Sequence, residues 1–251
     1  MTDPIIEASG LTKSFRGFHA VNGISLSVER GSIHALIGAN GAGKTTCFNL
    51  LSKFLQPTSG TIRFNGRNIT RFKPDRVARL GIVRSFQISA VFSGLTVLEN
   101  VGIALQRHRG ESFDFWASTR RLENQRTRAE ELLEAVGLSG FLHTPAAELP
   151  YGRKRALELA TTLALNPELM LLDEPTAGMA TEDVKRIAEL IRTVSRGRTV
   201  LMVEHNLGVV SELCDCITVL ARGEILVEGD YDTVSRDERV IESYIGGGAH
   251  A

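Results

Sequence analysis

The sequence predicts an α/β fold, and three patterns carry that prediction. The glycine-rich stretch GANGAGKT at residues 38–45 follows the apolar run Ile33–Ile37 and precedes a helix-like segment at 46–51. Two further apolar runs, at 169–172 and Thr199–Val203, have the unbroken hydrophobicity of strands buried on both faces of a sheet. Between residue 93 and about residue 165, apolar positions recur instead at helical spacing.

Composition narrows the function classes. At 251 residues the chain can form one large α/β domain or two small ones. Lys plus Arg and Asp plus Glu number 29 each, so the formal net charge is zero and no global basic field exists to hold nucleic acid. No apolar run approaches the ~18 residues of a membrane span. The start, MTDPIIEASG, lacks the basic and long apolar regions of a secretory signal, so the protein is expected in the cytosol, meeting a membrane only through partners. Cys47, Cys214 and Cys216 suit a reducing compartment. With no further ligands beside Cys214-Asp215-Cys216, they are expected as buried small hydrophobes.

Taken in order, residues 5–8, 19–21, 24–28 and Ile33–Ile37 read as short strands separated by Gly and polar turns. Without helices between them, they suggest an antiparallel sheet beside the core. Phe15, ahead of the glycine-rich stretch, offers a flat π-face on which a base can stack, with Phe18 the lesser candidate. Residues 38–45 fit G-x-x-x-x-G-K-[ST] in the strand-loop-helix context the pattern requires. Gly38, Gly41 and Gly43, with Asn40 and Ala42 between them, let the backbone wrap phosphates and aim N–H groups inward. The following helix adds roughly half an elementary positive charge at its start. Lys44 is expected on the β- and γ-phosphates and the Thr45 hydroxyl on Mg²⁺, with Thr46 in the same first turn. These residues describe a site for a nucleoside triphosphate.

Asn65-Gly66 after residues 61–64 is a hairpin signal. Residues 81–87 read as a strand ending in Gln87, whose amide can ligate Mg²⁺ or orient water. Residues 95–101 and 126–136 open and continue a helical lobe; the aromatics between His108 and Trp116 either contact a partner or pack within it. Pro150 suits the first turn of a helix beginning at Tyr151, Gly152 and Arg153, whose N-terminus is a second potential anion site. At the end of the run 169–172, Asp173 and Glu174 are expected on opposite sides, Asp173 for Mg²⁺ and Glu174 as general base. His205, just after the run Thr199–Val203, faces the edge where α/β sheets bind ligands and is expected on the γ-phosphate. Strands at 217–220 and 225–228, a short helix near 238–244 and a flexible tail at 246–251 close the chain.

This order of motifs resembles the ATP-binding-cassette (ABC) ATPases over essentially the whole chain: phosphate loop, Gln87, the Tyr151-Gly152 signature, Asp173-Glu174 and His205. The finer pattern is similar to the ATP-binding proteins of branched-chain amino acid importers: RSFQ at 84–87, LTVLENV at 95–101, Ala177-Gly178 after the acidic pair, and Glu204-His205. The spacer after Leu105 favours a LivG-like over a LivF-like branch. The resemblance implies one ABC ATPase domain over 1–251: a RecA-like P-loop NTPase core, an antiparallel β subdomain and a helical subdomain inserted at about 88–165. It also implies two cassettes sandwiching two ATPs, with Tyr151, Gly152 and Arg153 acting in trans on the partner's γ-phosphate. Gln87 and the helical lobe would couple turnover to permease subunits at the cytoplasmic face of the inner membrane, served by a periplasmic solute-binding protein. The second cassette would be a LivF-like chain or a second copy of this one.

Two positions depart from the family pattern. Pro150 replaces the usual signature serine, leaving backbone N–H groups to meet the phosphate, and Ala180 replaces an aspartate beyond the acidic pair. One hydrogen bond lost to a charged group costs about 1.5–3 kcal/mol, enough to slow a site without abolishing it. Two alternatives share the cassette: an exporter ATPase of the lipopolysaccharide type, and a soluble non-transport ABC ATPase.

Overall fold

The computed structural model describes residues 3–85, 91–109 and 119–245, and the side chains of all of these except 107–109, 119–122, 244 and 245. Gln87, the aromatic stretch at 110–116 and the tail at 246–251 therefore lie outside the described residues.

The chain opens with a long antiparallel pair, β1 (Pro4–Phe15) and β2 (Phe18–Glu29). β1 also pairs with β4 (Ser59–Phe64), and β4 with the two-residue β5 (Arg67–Asn68), giving a sheet of order β2-β1-β4-β5. The expectation of separate strands at 5–8, 19–21 and 24–28 is corrected here: each hairpin arm is continuous. Register shifts between Ala8 and Leu11 and between Leu11 and Lys13 absorb extra residues as bulges, so the two-residue alternation breaks while the pairing carries on. The Asn65-Gly66 turn forms as expected, with both residues at positive φ.

The second sheet has six strands in the order β10-β9-β3-β8-β7-β6. Its parallel portion runs through β3 (Ile33–Ile37), β8 (Thr199–Val203), β7 (Leu169–Asp173) and β6 (Ile82–Arg84). β9 (Cys216–Ala221) joins β3 in parallel, and β10 (Glu224–Gly229) returns antiparallel along β9. Every residue of β3, β7 and β8 is buried, which is why these runs carry no polar alternation.

Helix α1 (Lys44–Leu51) follows β3 directly, and Cys47, Phe48, Leu50 and Leu51 pin it into a core shared with β1, β2 and one face of the large sheet. On the sheet's other face a continuous core takes in α3 (Val97–Arg109), α4 (Thr119–Ala135) and α5 (Tyr151–Ala164). α4 begins well before residue 126, because its first turns carry polar residues that give no apolar periodicity. Helices α2 (Pro74–Arg79), α6 (Thr181–Val194), α7 (Leu207–Leu213) and α8 (Tyr231–Arg236) have no counterpart in the sequence reading, while α9 (Glu238–Ile245) does. Pro150 sits one place before the first helical residue, with no side-chain cap, rather than within the first turn.

Cys47 is buried as expected, and burial pushes its thiol up to about 12. Cys214 and Cys216 are only half-buried, a correction that follows from their place at the sheet's rim; desolvation still raises them to about 12 and about 11, reinforced by Asp215 beside Cys214 and Glu228 beside Cys216. None of the three is a ready nucleophile.

Lys53, just past α1, is fully buried at φ 64, and its Nζ has no hydrogen-bond partner among the described residues. Burial lowers its pKa to about 8, so the unfolded chain binds more protons than the folded one between about pH 8 and 10.5, and stability rises with pH over that window. Lys53→Met keeps the apolar stem and removes the amine. Its melting temperature is expected to exceed the parent's by roughly 2–4 °C at neutral pH, about 1 kcal/mol, with the gap closing as thermal melts are taken from pH 8 towards pH 10.5.

Candidate functional site

Parallel register brings the carboxyl ends of β3, β8, β7 and β6 to one edge, and the loops leaving them carry most of the expected site residues. Residues 38–43 turn sharply out of β3. Gly38 at φ 146 and Gly43 at φ 103 are backbone conformations that side chains rarely adopt, and an added Cβ would fall 2.2 Å from the Leu220 carbonyl oxygen and 2.5 Å from that of Ala20. The loop is thus a backbone cradle that only glycine can build at those two points. Lys44 opens α1, with its Nζ donating to the carbonyls of Gly38 at 2.7 Å and Ala39 at 2.9 Å. Burial lowers its pKa, and the Glu174 carboxylate acts against that shift. Ala42 is buried beneath the loop, Thr46 is half-buried, and Asn40, Gly41 and Thr45 are exposed.

Asp173 ends β7, buried, and pairs with the Arg84 guanidinium at the end of the neighbouring β6. Arg84 also donates to Asn49 Oδ1 on α1 at 2.5 Å. Glu174 takes φ 47, so the backbone leaves the strand there, and the expected strand-like opposition of Asp173 and Glu174 is replaced by a left-handed turn. That turn, held by the Glu174 N–H donating to the Val203 carbonyl at 2.9 Å, brings Glu174 Oε1 within 2.9 Å of His205 Nε2. The carboxylate only accepts, so the ring nitrogen donates. A base held by a ring that is itself anchored to the next strand is the geometry of an oriented proton acceptor.

Phe15 ends β1 with its ring 44% exposed, available for stacking, and the Lys13 ammonium lies 5.1 Å from its centroid. Phe18 is more exposed at 69% but lies across the turn on β2. Gly152 packs so closely on Asp183 of α6 that a Cβ would lie 3.1 Å from its Cγ. The Tyr151 hydroxyl donates to the Ala177 carbonyl at 3.1 Å, and Arg153 stacks on Phe141 and reaches the Gly137 carbonyl. Among the described residues no hydrogen bond joins residues 150–153 to the phosphate loop, and this helix start carries three basic residues and no acidic one in its first turns.

The donors available to a divalent cation are oxygens: the Thr45 hydroxyl and Asp173 Oδ1, which is in no hydrogen bond among the described residues. Hard oxygen donors fit Mg²⁺, and the described residues hold no cluster of three or more His, Cys, Asp or Glu. Such a site suits an ion that brings phosphate oxygens with it.

Several contributors were not foreseen. Arg84 and Asn49 had a signal, since a cation closing an apolar strand needs an anion nearby. Glu204 is buried and accepts from the Thr176 hydroxyl and from the His205 N–H at 3.2 Å, tying the His205 loop to the segment after Glu174. Burial, seconded by the Glu174 charge, raises its pKa from 4.5 to about 7.

A family model for ABC transporters matches residues 21–177. The chain is 38% identical over 254 residues to the high-affinity branched-chain amino acid transport ATP-binding protein BraF of Pseudomonas aeruginosa, covering 98% of this chain and 99% of that protein. It is 35% identical over 253 residues to LivG, the corresponding protein of Escherichia coli K12, with the same coverage. The ADP conformation of MJ1267, an ATP-binding cassette of an ABC transporter, superposes with a TM-score of 0.86 at 30% identity, covering 98% of this chain and all of that one.

Because folding raises the Glu204 pKa, the native state holds that proton more tightly than the unfolded chain. The contribution favours folding below about pH 4.5 and is lost as pH climbs through 7. Glu204→Gln removes the dependence. From about pH 5 to about pH 8 the melting temperature of the variant is expected to gain on the parent's by a few degrees, roughly 2–4 °C per kcal/mol, in thermal melts across that range.

Proposed function

The chain belongs to the ABC transporter family of ATP-binding proteins, and from that membership we propose that it is the ATP-hydrolysing subunit of an importer for branched-chain amino acids. The observation that carries the hydrolytic part is the Glu174–His205 pair, set beside the Lys44 cradle at one sheet edge. The transport part rests on the two curated relatives, whose names state branched-chain amino acid transport.

In this reading the glycine cradle and Lys44 hold the β- and γ-phosphates, and Phe15 stacks on the base. Thr45 and Asp173 would hold Mg²⁺, with Gln87 as a further ligand or water guide, and the ion would neutralise charge on the phosphate oxygens. Glu174 takes a proton from water as the water oxygen bonds to the γ-phosphorus and the bond to the ADP oxygen breaks. His205 orients Glu174 and contacts the γ-phosphate. Charge stabilisation by fixed donors supplies much of such a rate enhancement.

The start of α5, Tyr151 to Arg153, serves a second cassette's nucleotide rather than its own. Pro150 contributes no hydroxyl, so the uncapped N–H groups of α5 and the basic first turn meet the phosphate there. The partners are a second cassette, LivF-like or another copy of this chain, and permease subunits that hold it at the cytoplasmic face of the inner membrane, with a periplasmic solute-binding protein delivering cargo. No helix among the described residues is long and apolar enough to cross a membrane.

Glu174→Gln is expected to keep ATP binding and to lose turnover by about 10²–10⁴-fold, measured as phosphate release, the usual worth of a positioned general base. Near-normal hydrolysis would overturn that assignment. In cells whose only copy carries this substitution, uptake of labelled leucine is expected to fall to background, while unchanged uptake in a strain lacking other leucine importers would remove the cargo assignment.

A further inference from the structure

Asp173 is held from a direction that the phosphate-loop chemistry does not require. Its Oδ2 accepts from Arg84 Nη2, and the two side chains are 1% and 11% exposed. The other arm of the fork, Nη1, donates to Asn49 Oδ1 at 2.5 Å, and Asn49 lies on α1, one turn beyond Thr45. The guanidinium carbon lies 5.3 Å from the Phe48 ring centroid and 5.7 Å from that of Phe54, and Nε is buried with no hydrogen-bond partner among the described residues. A rigid planar fork thus ties three elements together, β6, β7 and α1, around one carboxylate.

Resting on the reading of Asp173 as the metal carboxylate, we propose that Arg84 is a positioning residue for the metal: it aims Asp173 by one oxygen while, as a resident cation on the same carboxylate, it weakens metal binding. Two features of the geometry carry this. First, Arg84 engages one carboxylate oxygen only, so Asp173 is held in a fixed rotamer relative to the helix that bears Thr45, with Oδ1 free of hydrogen bonds among the described residues. Second, Asn49 Oδ1 anchors the other terminal nitrogen, Nη1, so the guanidinium cannot swing away freely when a second cation arrives. Two cations on one buried carboxylate oppose each other, because the surroundings screen their repulsion poorly. The consequence for a turnover cycle is release: a metal held less tightly leaves more readily with the product nucleotide.

The test compares Arg84→Gln, Asn49→Leu and Asp173→Asn with the parent full-length chain. ATP binding is followed calorimetrically at fixed free Mg²⁺ concentrations and in EDTA, and Mn²⁺ binding is followed by the loss of its free electron-spin resonance signal. Arg84→Gln is expected to lower the half-saturating Mg²⁺ concentration about tenfold, to tighten Mn²⁺ to match, and to leave metal-free ATP affinity within about twofold. Asn49→Leu keeps the Arg84 charge but frees the fork, and is expected to shift the Mg²⁺ midpoint the same way by about threefold. It decides the matter if Arg84→Gln does not fold.

An unchanged or raised Mg²⁺ midpoint in these variants overturns the proposal, as does an equal loss of ATP affinity with and without metal, the signature of a purely structural role. Asp173→Asn separates the two layers. If it leaves the Mg²⁺ midpoint untouched, the metal assignment of Asp173 is what fails; if it raises the midpoint while Arg84→Gln changes nothing, only the role of Arg84 fails.

Discussion

The site depends on the parallel register of β3, β8 and β7. Parallel strands share a direction, so their carboxyl ends meet at one edge, and their connections must cross over through helices that bury both faces of the sheet. Burial on both faces removes polar residues from the strands and displaces chemistry to the first residue or two beyond them. Asp173, Glu174 and His205 lie at or just past such ends, and Lys44 follows β3 across the glycine loop, more than a hundred residues before the other three in the chain.

Crowding so many charges onto one edge creates an electrostatic problem, and the structure meets it by pairing. Lys44 rests on the carbonyls of Gly38 and Ala39, Asp173 on Arg84, and Glu174 on His205, while Glu204 takes hydrogen bonds from Thr176 and the His205 backbone. A buried charge without such a partner costs several kcal/mol, so each pair supports the fold as well as the chemistry. The pairs are also joined to one another. Glu174 opposes the lowering of the Lys44 pKa and adds to the raising of Glu204, so a change at one of these groups is felt at the others.

The β2-β1-β4-β5 sheet and the helices α3 to α5 attach to this edge from opposite sides. The first carries Phe15 at the end of β1, and the second presents the start of α5. The core linking α5 to the sheet is continuous, so Tyr151 and Gly152 are fixed against Ala177 and Asp183 rather than hanging from a loop.

Features set by their own chain neighbours were legible in the sequence: the glycine loop between a strand and a helix that opens on Lys44, the hairpin at Asn65-Gly66, and the buried strands, where spacing and side-chain type already impose the geometry. What the sequence could not hold was anything set by contacts across the sheet. Alternation along an ideal strand suggested opposite faces for Asp173 and Glu174, but the left-handed turn at Glu174, stabilised by a backbone bond to Val203 of the adjacent β8, sends its carboxylate to His205 instead. Arg84 and Glu204 likewise entered only as members of a family pattern, with no role attached to either. Only the tertiary structure, by stripping water from them and placing Asp173 and Thr176 alongside, turns them into parts of the site.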